Sequence, residues 1–541
     1  MEAQSDLETP VTTPELLRTF ASWGDRIFVA TSEEELTYAD AEARSAELAR
    51  RMLALGVGKN TRVAMVFANS ADWVITYLAI TRIGAHAILL NPFSRAPEVG
   101  YALAHSDAAI VVIGTQSGGG DLATLLAAAV PGIDARAADE PVRLVSHPFL
   151  RSVWWLGGDG PAWASDPWDA SPVPAELLAA VEAEVHASDP MVTSYTSGTT
   201  AAPKAVVHSQ GAIIRQAEKL SVRRHFTPDD LIWTPMPFFW MGGLCFVLLQ
   251  AATRGMLVAT DGRFDPAKAL DLIERYGITA ASCWPLAAEA MVTDPSFPDR
   301  DLSSLTNAPT QLRGEAWDGL LPDQRETSLG MTETCGPHTI ERMDVDRPEA
   351  LRSSFGRSVP GTEHKIVDPA NGRVLAPGEL GEVCVRGYQL MQGLYKVERE
   401  DAFDRDGYYH TGDAGYFDAD GTFFFKARLG DMIKTAGANV TPREVEIVLE
   451  AQPEVRSAFV VGVPDPARGQ NVAAAVILKG GRELPWDVLR ERLRAELSAY
   501  KVPRHCFFFR DGELPFTDSG KIDKKKLSAL LADRIARTPG A

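Results

Sequence analysis

The sequence predicts an α/β protein of at least two domains, with doubly wound, mostly parallel sheets first, a β-rich region next and a small α+β domain last. Three observations predict it. The chain has 541 residues, too many for one hydrophobic core. Its first part alternates short β-rich runs with amphipathic stretches, and strands joined by crossover helices form parallel sheets. From about residue 355 the texture shifts to short runs punctuated by glycine.

Residues 62–67 (RVAMVF) read as a strand, and Asn69 and Ser70 can cap a helix over 71–82. A strand at 85–91, a helix near 96–105 and a strand at 108–114 continue the alternation. A Pro-, Gly- and Trp-rich stretch at about 156–174 separates this half from the next. A helix from about Gln210, a strand at 255–260, a helix near 266–276 and a strand at 278–284 follow. The segment 231–253 carries no charge, yet holds Pro235, Pro237, Gly242, Gly243 and Gln250 and lacks a positive flank. It reads as a buried strand–turn–helix rather than a membrane span. EHKIVD, GEVCVRG and GTFFFKA suggest a small β-rich subdomain or barrel. Thr441, Pro442 and Glu444 predict a capping box opening a helix over 442–451. Strands at 456–463 and 472–479, a helix at 485–498, a strand at 505–510 and a helix from about 523 complete the tail.

The net charge of −18 argues against a general nucleic-acid binder. Five scattered cysteines without CxxC spacing read as reduced thiols of a cytoplasmic protein, with no zinc site. The start, MEAQSDLETP, has no signal-peptide pattern.

The stretch YTSGTTAAPK is the richest in chemistry. Thr196, Ser197, Gly198, Thr199 and Thr200 lead to Pro203 and Lys204. Hydroxyls, backbone N–H groups and one cation on a short loop suit a polyphosphate. Pro203 excludes the Walker A pattern. In SLGMTET, Glu333 stands beside hydroxyls and suits Mg²⁺ next to a triphosphate. In YHTGDAG, Asp413 follows a glycine and suits a ribose diol. Arg428 and Lys434 precede the capped helix, and LPFTDSGKIDK offers Lys521 on a Ser-Gly turn. Blander roles suit the rest. His208 reads as structural or at the surface, His338 and His364 as lone histidines, and His410 as a packing residue. Lys524 to Lys526 read as a solvated helix face, and Trp154 and Trp155 as packing.

These five motifs, in this order, resemble the adenylate-forming superfamily, which includes acyl-CoA synthetases, firefly luciferase and the adenylation domains of peptide synthetases. The resemblance covers about Leu36 to Leu527. It implies a large N-terminal domain (1–429) of two α/β subdomains plus a β-barrel, and a mobile C-terminal domain (430–541) that rotates between two poses. It implies activation of a carboxylic acid by ATP to an acyl-adenylate, then transfer to coenzyme A. By that resemblance the loop from Thr196 to Thr200, with Lys204, holds the β- and γ-phosphates. Leu329, Gly330 and Met331 belong to the nucleotide site. Thr332 and Glu333 serve the α-phosphate, with Glu333 and Thr200 on Mg²⁺, and Asp413 and Arg428 bind ribose. Lys521 serves adenylation, Lys434 the thioester pose, and Gly430 with Asp431 the hinge. Phe239, Trp240, Gly242 and Gly243 line the acyl channel, and an apolar acid follows from that lining.

The sequence also departs from the family. Ala201 and Ala205 replace usual glycines, Leu329 replaces an aromatic ring against adenine, and Trp240 replaces a histidine. Two alternatives stay open. The acyl group can pass to an amine or a carrier-protein thiol, or the chain can be a catalytically degenerate nucleotide-binding regulator. Lys521, Glu333, Asp413 and Arg428 argue against the last. A homodimer is left open, and no membrane span or nucleic-acid partner is expected.

Overall fold

The computed structural model describes residues 9–114, 121–196, 203–306, 328–341, 351, 354–435, 438–466, 468–480, 482–497, 499–510, 512–517 and 521–537. They fall into two compact units: residues 1–363 with 385–409, and residues 364–384 with 410–541. The expected boundary at 429/430 lies within the second.

The first unit holds a small three-stranded sheet, Ser328–Met331, Gly336–Ile340 and Arg357–Ser358, and two larger ones. In the seven-stranded sheet the order is Gly393–Leu394, Lys204–Ser209, Pro190–Thr196, His86–Leu89, Arg62–Val66, Ile110–Gly114 and Ser152–Leu156. The last five are mutually parallel, while Lys204–Ser209 runs antiparallel to both its neighbours. The five-stranded sheet runs Ala280–Ala281, Leu231–Trp233, Leu257–Ala259, Ile27–Ala30 and Glu35–Thr37, parallel except at its last pair. Ile110–Gly114 is buried along its whole length, which explains its unbroken apolar run. The helix Ala71–Arg82 begins where Ser70 accepts from the Trp73 N–H. Pro266–Tyr276 starts on Asp265 and stops at Gly277 in the left-handed region, so both ends were written in the chain.

The β-rich region is a four-stranded sheet, Thr362–Val367, Gly381–Gly387, Tyr409–Phe417 and Phe423–Arg428, most of whose residues belong to the second unit. A further sheet is built around the antiparallel pair Val455–Asp465 and Gly469–Leu478, with His505–Phe509 parallel to the latter. Alternation sorts its side chains. Val460, Val472 and Val476 face a core with Val445, Leu449, Leu489 and Leu493 of the helices Pro442–Glu450 and Trp486–Glu496. Val461, Val463, Ala473 and Ala475 face Leu527 and Leu531 of Lys524–Arg537. A sheet covered on both faces needs apolar residues on both, hence the near-continuous run VAAAVIL.

Three expectations change. The helix Pro442–Glu450 has no side-chain cap, because Thr441 Oγ1 turns to Met432 Sδ at 3.6 Å and Glu444 pairs with Lys501. The strand foreseen at 278–284 shrinks to Ala280–Ala281, since Pro285 opens the helix Pro285–Val292. Before residue 62, where no element was foreseen, lie the strands Ile27–Ala30 and Glu35–Thr37 and the helices Thr13–Phe20 and Tyr38–Ala54. The uncharged segment is, as expected, a strand followed by helical turns, with a wide π-helical stretch at Leu244–Leu248. No helix among the described residues is long and apolar enough to cross a membrane.

Candidate functional site

In the first unit the two described ends of the proposed phosphate loop are paired. Thr196 and Lys204 are cross-strand partners closing the strands Pro190–Thr196 and Lys204–Ser209. Ser197, Gly198, Thr199, Thr200 and Ala201 lie outside the described residues. Ala205 lies inside the second strand opposite Tyr195 and has no left-handed backbone, so its methyl group brings no strain. Lys204 forms no ion pair among the described residues.

The same strand anchors the second motif. His208 Nε2 donates to the Thr332 carbonyl at 2.6 Å. Burial pushes the imidazole down to about 4, although the bond to Thr332 pulls the other way, so His208 is neutral near pH 7. Sequence reading had left this histidine between core and surface. It is fully buried and acts on the backbone of the motif, and its one sequence signal is its place in the strand alternation, facing as Val206 does.

Leu329, Gly330 and Met331 form the strand Ser328–Met331, followed by a single 3-10 turn, Thr332–Thr334. Gly330 permits the close approach to the next strand: a Cβ there would stand 2.4 Å from the Gly336 carbonyl carbon. Leu329 is half-buried and supplies apolar surface only. Glu333 Oε1 accepts from the Tyr409 hydroxyl at 3.0 Å, and its backbone carbonyl accepts from the Met391 N–H at 2.9 Å. Its other carboxylate oxygen has no hydrogen-bond partner among the described residues. A partly exposed, oriented carboxylate with a spare oxygen fits a hard divalent cation, which takes oxygen ligands. Tyr409 was not foreseen as its partner. The two are 76 positions apart, and no local pattern links them.

The expected acyl-channel residues sit where the strand Leu231–Trp233 passes into helical turns. Phe239 is buried and Trp240 half-buried. Their rings meet edge to face at 5.3 Å, and Trp240 meets the exposed Trp284 at 6.2 Å. Gly243 packs against the chain reversal before it: a Cβ there would fall 2.1 Å from the Pro237 carbonyl oxygen. Gly242 has more room, with Met236 Sδ at 3.4 Å from a Cβ. An open cavity of about 550 Å³ lies nearby, lined by residues including Phe93, Pro235, Pro237, Arg263 and Phe264. None of the four expected channel residues lines it, though Phe93 touches Phe239 at 6.4 Å between ring centres.

In the second unit Asp413 and Arg428 are cross-strand partners. Arg428 Nε reaches Asp413 Oδ1 at 2.8 Å, and the carboxylate is nearly fully buried while the guanidinium is half exposed. The pair keeps an otherwise costly buried charge in place. His410 is exposed rather than a packing residue, because its Nδ1 donates to Glu382 Oε2 at 2.8 Å. Glu382, Cys384 and His410 place one ligand-type atom each within 4.8 Å of one another. The His410–Glu382 contact is that of a hydrogen bond, shorter than the roughly 3.3 Å between two ligands of a tetrahedral zinc. Gly430 lies in the 3-10 turn Leu429–Asp431, with negative φ and open space where a Cβ would go. Asp431 pairs with Lys524 Nζ at 3.5 Å, so Lys524 is not merely solvated as expected. Lys434 is exposed on Ile433–Thr435, its N–H donating to Gln470 Oε1. Lys521 is exposed on a separate turn held by Thr517, whose N–H donates to the Lys521 carbonyl at 2.7 Å. Neither lysine forms an ion pair among the described residues.

Family comparison places this arrangement. The AMP-binding enzyme family matches residues 16–395, and the AMP-binding enzyme C-terminal domain matches residues 444–521. The chain belongs to the AMP-binding enzyme family. Among its relatives is 4-coumarate–CoA ligase 5 of Oryza sativa subsp. japonica, 30% identical, the match covering 93% of this chain and 90% of that protein. Another is the putative acyl-CoA synthetase YngI of Bacillus subtilis, 29% identical over 95% of both. This AMP-binding enzyme also superposes on the amide bond synthetase McbA of Marinactinospora thermotolerans, at 26% identity and a TM-score of 0.77, covering 96% of this chain and 99% of the other. The anthranilate CoA ligase AuaEII, bound to anthranoyl-AMP, shares the fold at a TM-score of 0.79, 23% identity and coverage of 99% and 100%.

Proposed function

We propose that this AMP-binding enzyme is an ATP-dependent acid–thiol ligase that activates an apolar carboxylic acid as an acyl-adenylate and transfers it to coenzyme A. One observation carries the reading. The strand that begins at Lys204, where the hydroxyl-rich loop closes, is the strand whose His208 holds the Thr332–Glu333 turn. The Lys204 proposed for phosphate and the turn that carries the Glu333 carboxylate are therefore tied to one strand.

In the first half-reaction a carboxylate oxygen of the acid attacks the α-phosphorus of ATP. The bond to the β-phosphate bridge breaks, and pyrophosphate leaves. Such a displacement needs positioning and charge neutralisation more than covalent help from the protein. Thr196 to Thr200 and Lys204 would bind the β- and γ-phosphates, and Thr332 the α-phosphate. Glu333 and Thr200 would hold Mg²⁺, which when bound lowers the repulsion within the triphosphate. Asp413 and Arg428 would take the ribose. Lys521 would stabilise charge growing at the α-phosphate. In the second half-reaction the thiolate sulfur attacks the acyl carbon, and AMP leaves with the phosphate oxygen. Lys434 would serve that step after the C-terminal segment turns about Gly430 and Asp431. Phe239 and Trp240 supply apolar surface for the acid, and Trp240 brings no titratable group.

The amide synthetase likeness supports a second reading, in which an amine replaces the thiol. One experiment separates the two: acid-dependent pyrophosphate release over a panel of aliphatic and aromatic acids, with and without coenzyme A. Thioester product that requires both acid and coenzyme A supports the ligase. Amide product from an added amine, with coenzyme A inert, supports the second reading. No pyrophosphate from any acid removes both.

A further inference from the structure

The stretch of the strand Tyr409–Phe417 that carries Asp413 is held from the neighbouring strand. Glu382, on Gly381–Gly387, sends both carboxylate oxygens into it. Oε1 accepts from the Gly412 N–H at 3.1 Å, and Oε2 accepts from His410 Nδ1 at 2.8 Å. Between them, Thr411 Oγ1 donates to the Val383 carbonyl at 2.7 Å and accepts from the Asp413 N–H at 3.0 Å. Gly412 has a φ of +72°, so its N–H leaves the direction of a regular strand and needs a different acceptor. Arg428 adds a bond from Nη1 to the Thr411 carbonyl at 3.2 Å. Four consecutive residues, 410 to 413, are thus each tied down by a named group, and Glu382 alone holds two of them.

A plain surface ion pair would do less than this. The Glu382 side chain is 13% exposed, and one of its two bonds goes to backbone rather than to a mobile side chain. An acceptor aimed at a backbone N–H fixes the irregular, positive-φ position in the strand, and the residue after it is the carboxylate assigned to the nucleotide. Outer groups of this kind orient the group that touches the ligand.

We propose that Glu382 is a positioning residue for nucleotide binding. By clamping Gly412 and His410 it fixes Asp413 where that carboxylate can accept from both ribose hydroxyls. The inference rests on the reading of Asp413 as the ribose carboxylate. Without Glu382 the Gly412 N–H loses its acceptor and this stretch of strand loses its definition. The carboxylate then stays in the site but no longer meets the diol.

The test is direct binding of ATP and of 2′,3′-dideoxy-ATP to the full chain by calorimetry, with magnesium and without any acid. The wild type should prefer ATP on the order of ten- to a hundredfold, the range for hydrogen bonds to a charged group. Glu382→Ala should bind dideoxy-ATP as the wild type does while losing most of the preference for ATP. A general loss of folding would weaken both nucleotides, so this split marks a positioning role. Glu382→Gln, whose amide oxygen still accepts from Gly412, should keep most of the preference. Where the alanine variant does not fold, Glu382→Asp takes its place, since its arm is too short to span Gly412 and His410. Asp413→Asn runs alongside. If it abolishes the preference while the Glu382 variants retain it, the positioning role is overturned and the ribose reading survives. If Asp413→Asn leaves the preference intact, the ribose reading falls and the inference falls with it.

Discussion

Acid should weaken this protein through His208, and the structure sets the size and the pH window of the effect. The imidazole is fully buried, its Nε2 donates to the Thr332 carbonyl, and its Nδ1 has no partner among the described residues. A second proton would have to sit on that unpartnered nitrogen, so burial lowers the histidine from 6.5 to about 4. The unfolded chain takes up the proton as the pH falls through about 6.5, whereas the folded chain takes it up only near 4. Between those values the unfolded state binds more protons, and stability falls with falling pH. Above about 6.5 the full contribution is present, and below about 4 it is gone. At about 1.4 kcal/mol per tenfold step in proton affinity, the whole gap is worth roughly 3 kcal/mol, of which roughly 2.5 is lost by pH 4.5.

The buried His86 and the half-buried His364 are also lowered by desolvation, to about 4 and about 3, so acid sensitivity of the wild type alone does not isolate His208. His208→Gln does. Its amide can still donate to the Thr332 carbonyl, and it does not titrate. Thermal unfolding of the full chain is followed for both proteins at pH 7.5 and pH 4.5. Near neutral pH the variant should be equal to the wild type or slightly less stable. At pH 4.5 the comparison should move in its favour by several degrees. If the difference between the two proteins is the same at both pH values, His208 is not a buried neutral histidine, and the anchor for the Thr332–Glu333 turn needs another explanation.

Three further outcomes follow from the proposed chemistry. Lys521→Ala removes a cation that forms no ion pair among the described residues, so acid-dependent pyrophosphate exchange should fall on the order of 10²–10³-fold while ATP still binds; exchange near the wild-type rate would sink that role. Glu333→Gln keeps shape and can still accept from Tyr409, yet removes charge, so adenylation should fall and need more magnesium; an unchanged magnesium titration would move the metal elsewhere. Gly430→Pro fixes φ in a turn where nothing crowds the Cβ, so it should spare acyl-AMP formation and suppress thioester formation from added acyl-AMP and coenzyme A; equal loss in both half-reactions would point to a different pivot.

Much of the fold was legible wherever the chain writes its own ends. Ala71–Arg82, Ala96–His105 and Pro266–Tyr276 appear at the expected residues, each with a polar cap or a proline at its start. Long buried strands were equally plain from their apolar runs. Short strands such as Ile27–Ala30 escaped notice because four residues carry no period, and tertiary pairing alone defines them. The capping box at Thr441 failed for a similar reason. Its residues had local partners available, and more distant ones, Met432 and Lys501, took them. The site divides the same way. Motif residues were readable, since local spacing announces them. Their supports were not, because His208 lies 124 positions from Thr332, Tyr409 lies 76 from Glu333 and Glu382 lies 28 from His410.

This division bears on the positions where the chain departs from its family. A protein losing its chemistry has no reason to keep the supports of its charged groups while its packing drifts. Here Glu333 has a hydroxyl donor and a backbone tie, and Asp413 has Arg428 and the bonds of its strand segment. The described departures fall on packing surfaces. Ala205 is a buried strand residue, Leu329 offers apolar area, and Trp240 joins a ring chain with Phe239 and Trp284. Changes confined to such surfaces alter which molecule fits. They do not remove the groups that would handle phosphate, metal and ribose. The degenerate-regulator alternative would predict losses among the charged groups, whereas under the proposed function an altered choice of acid would leave the pattern found. The half-buried Trp240 and exposed Trp284 present flat, bulky surface at the one place where a smaller, titratable ring would be usual for the family. The acid panel should then separate members by shape at those two rings before it separates them by charge.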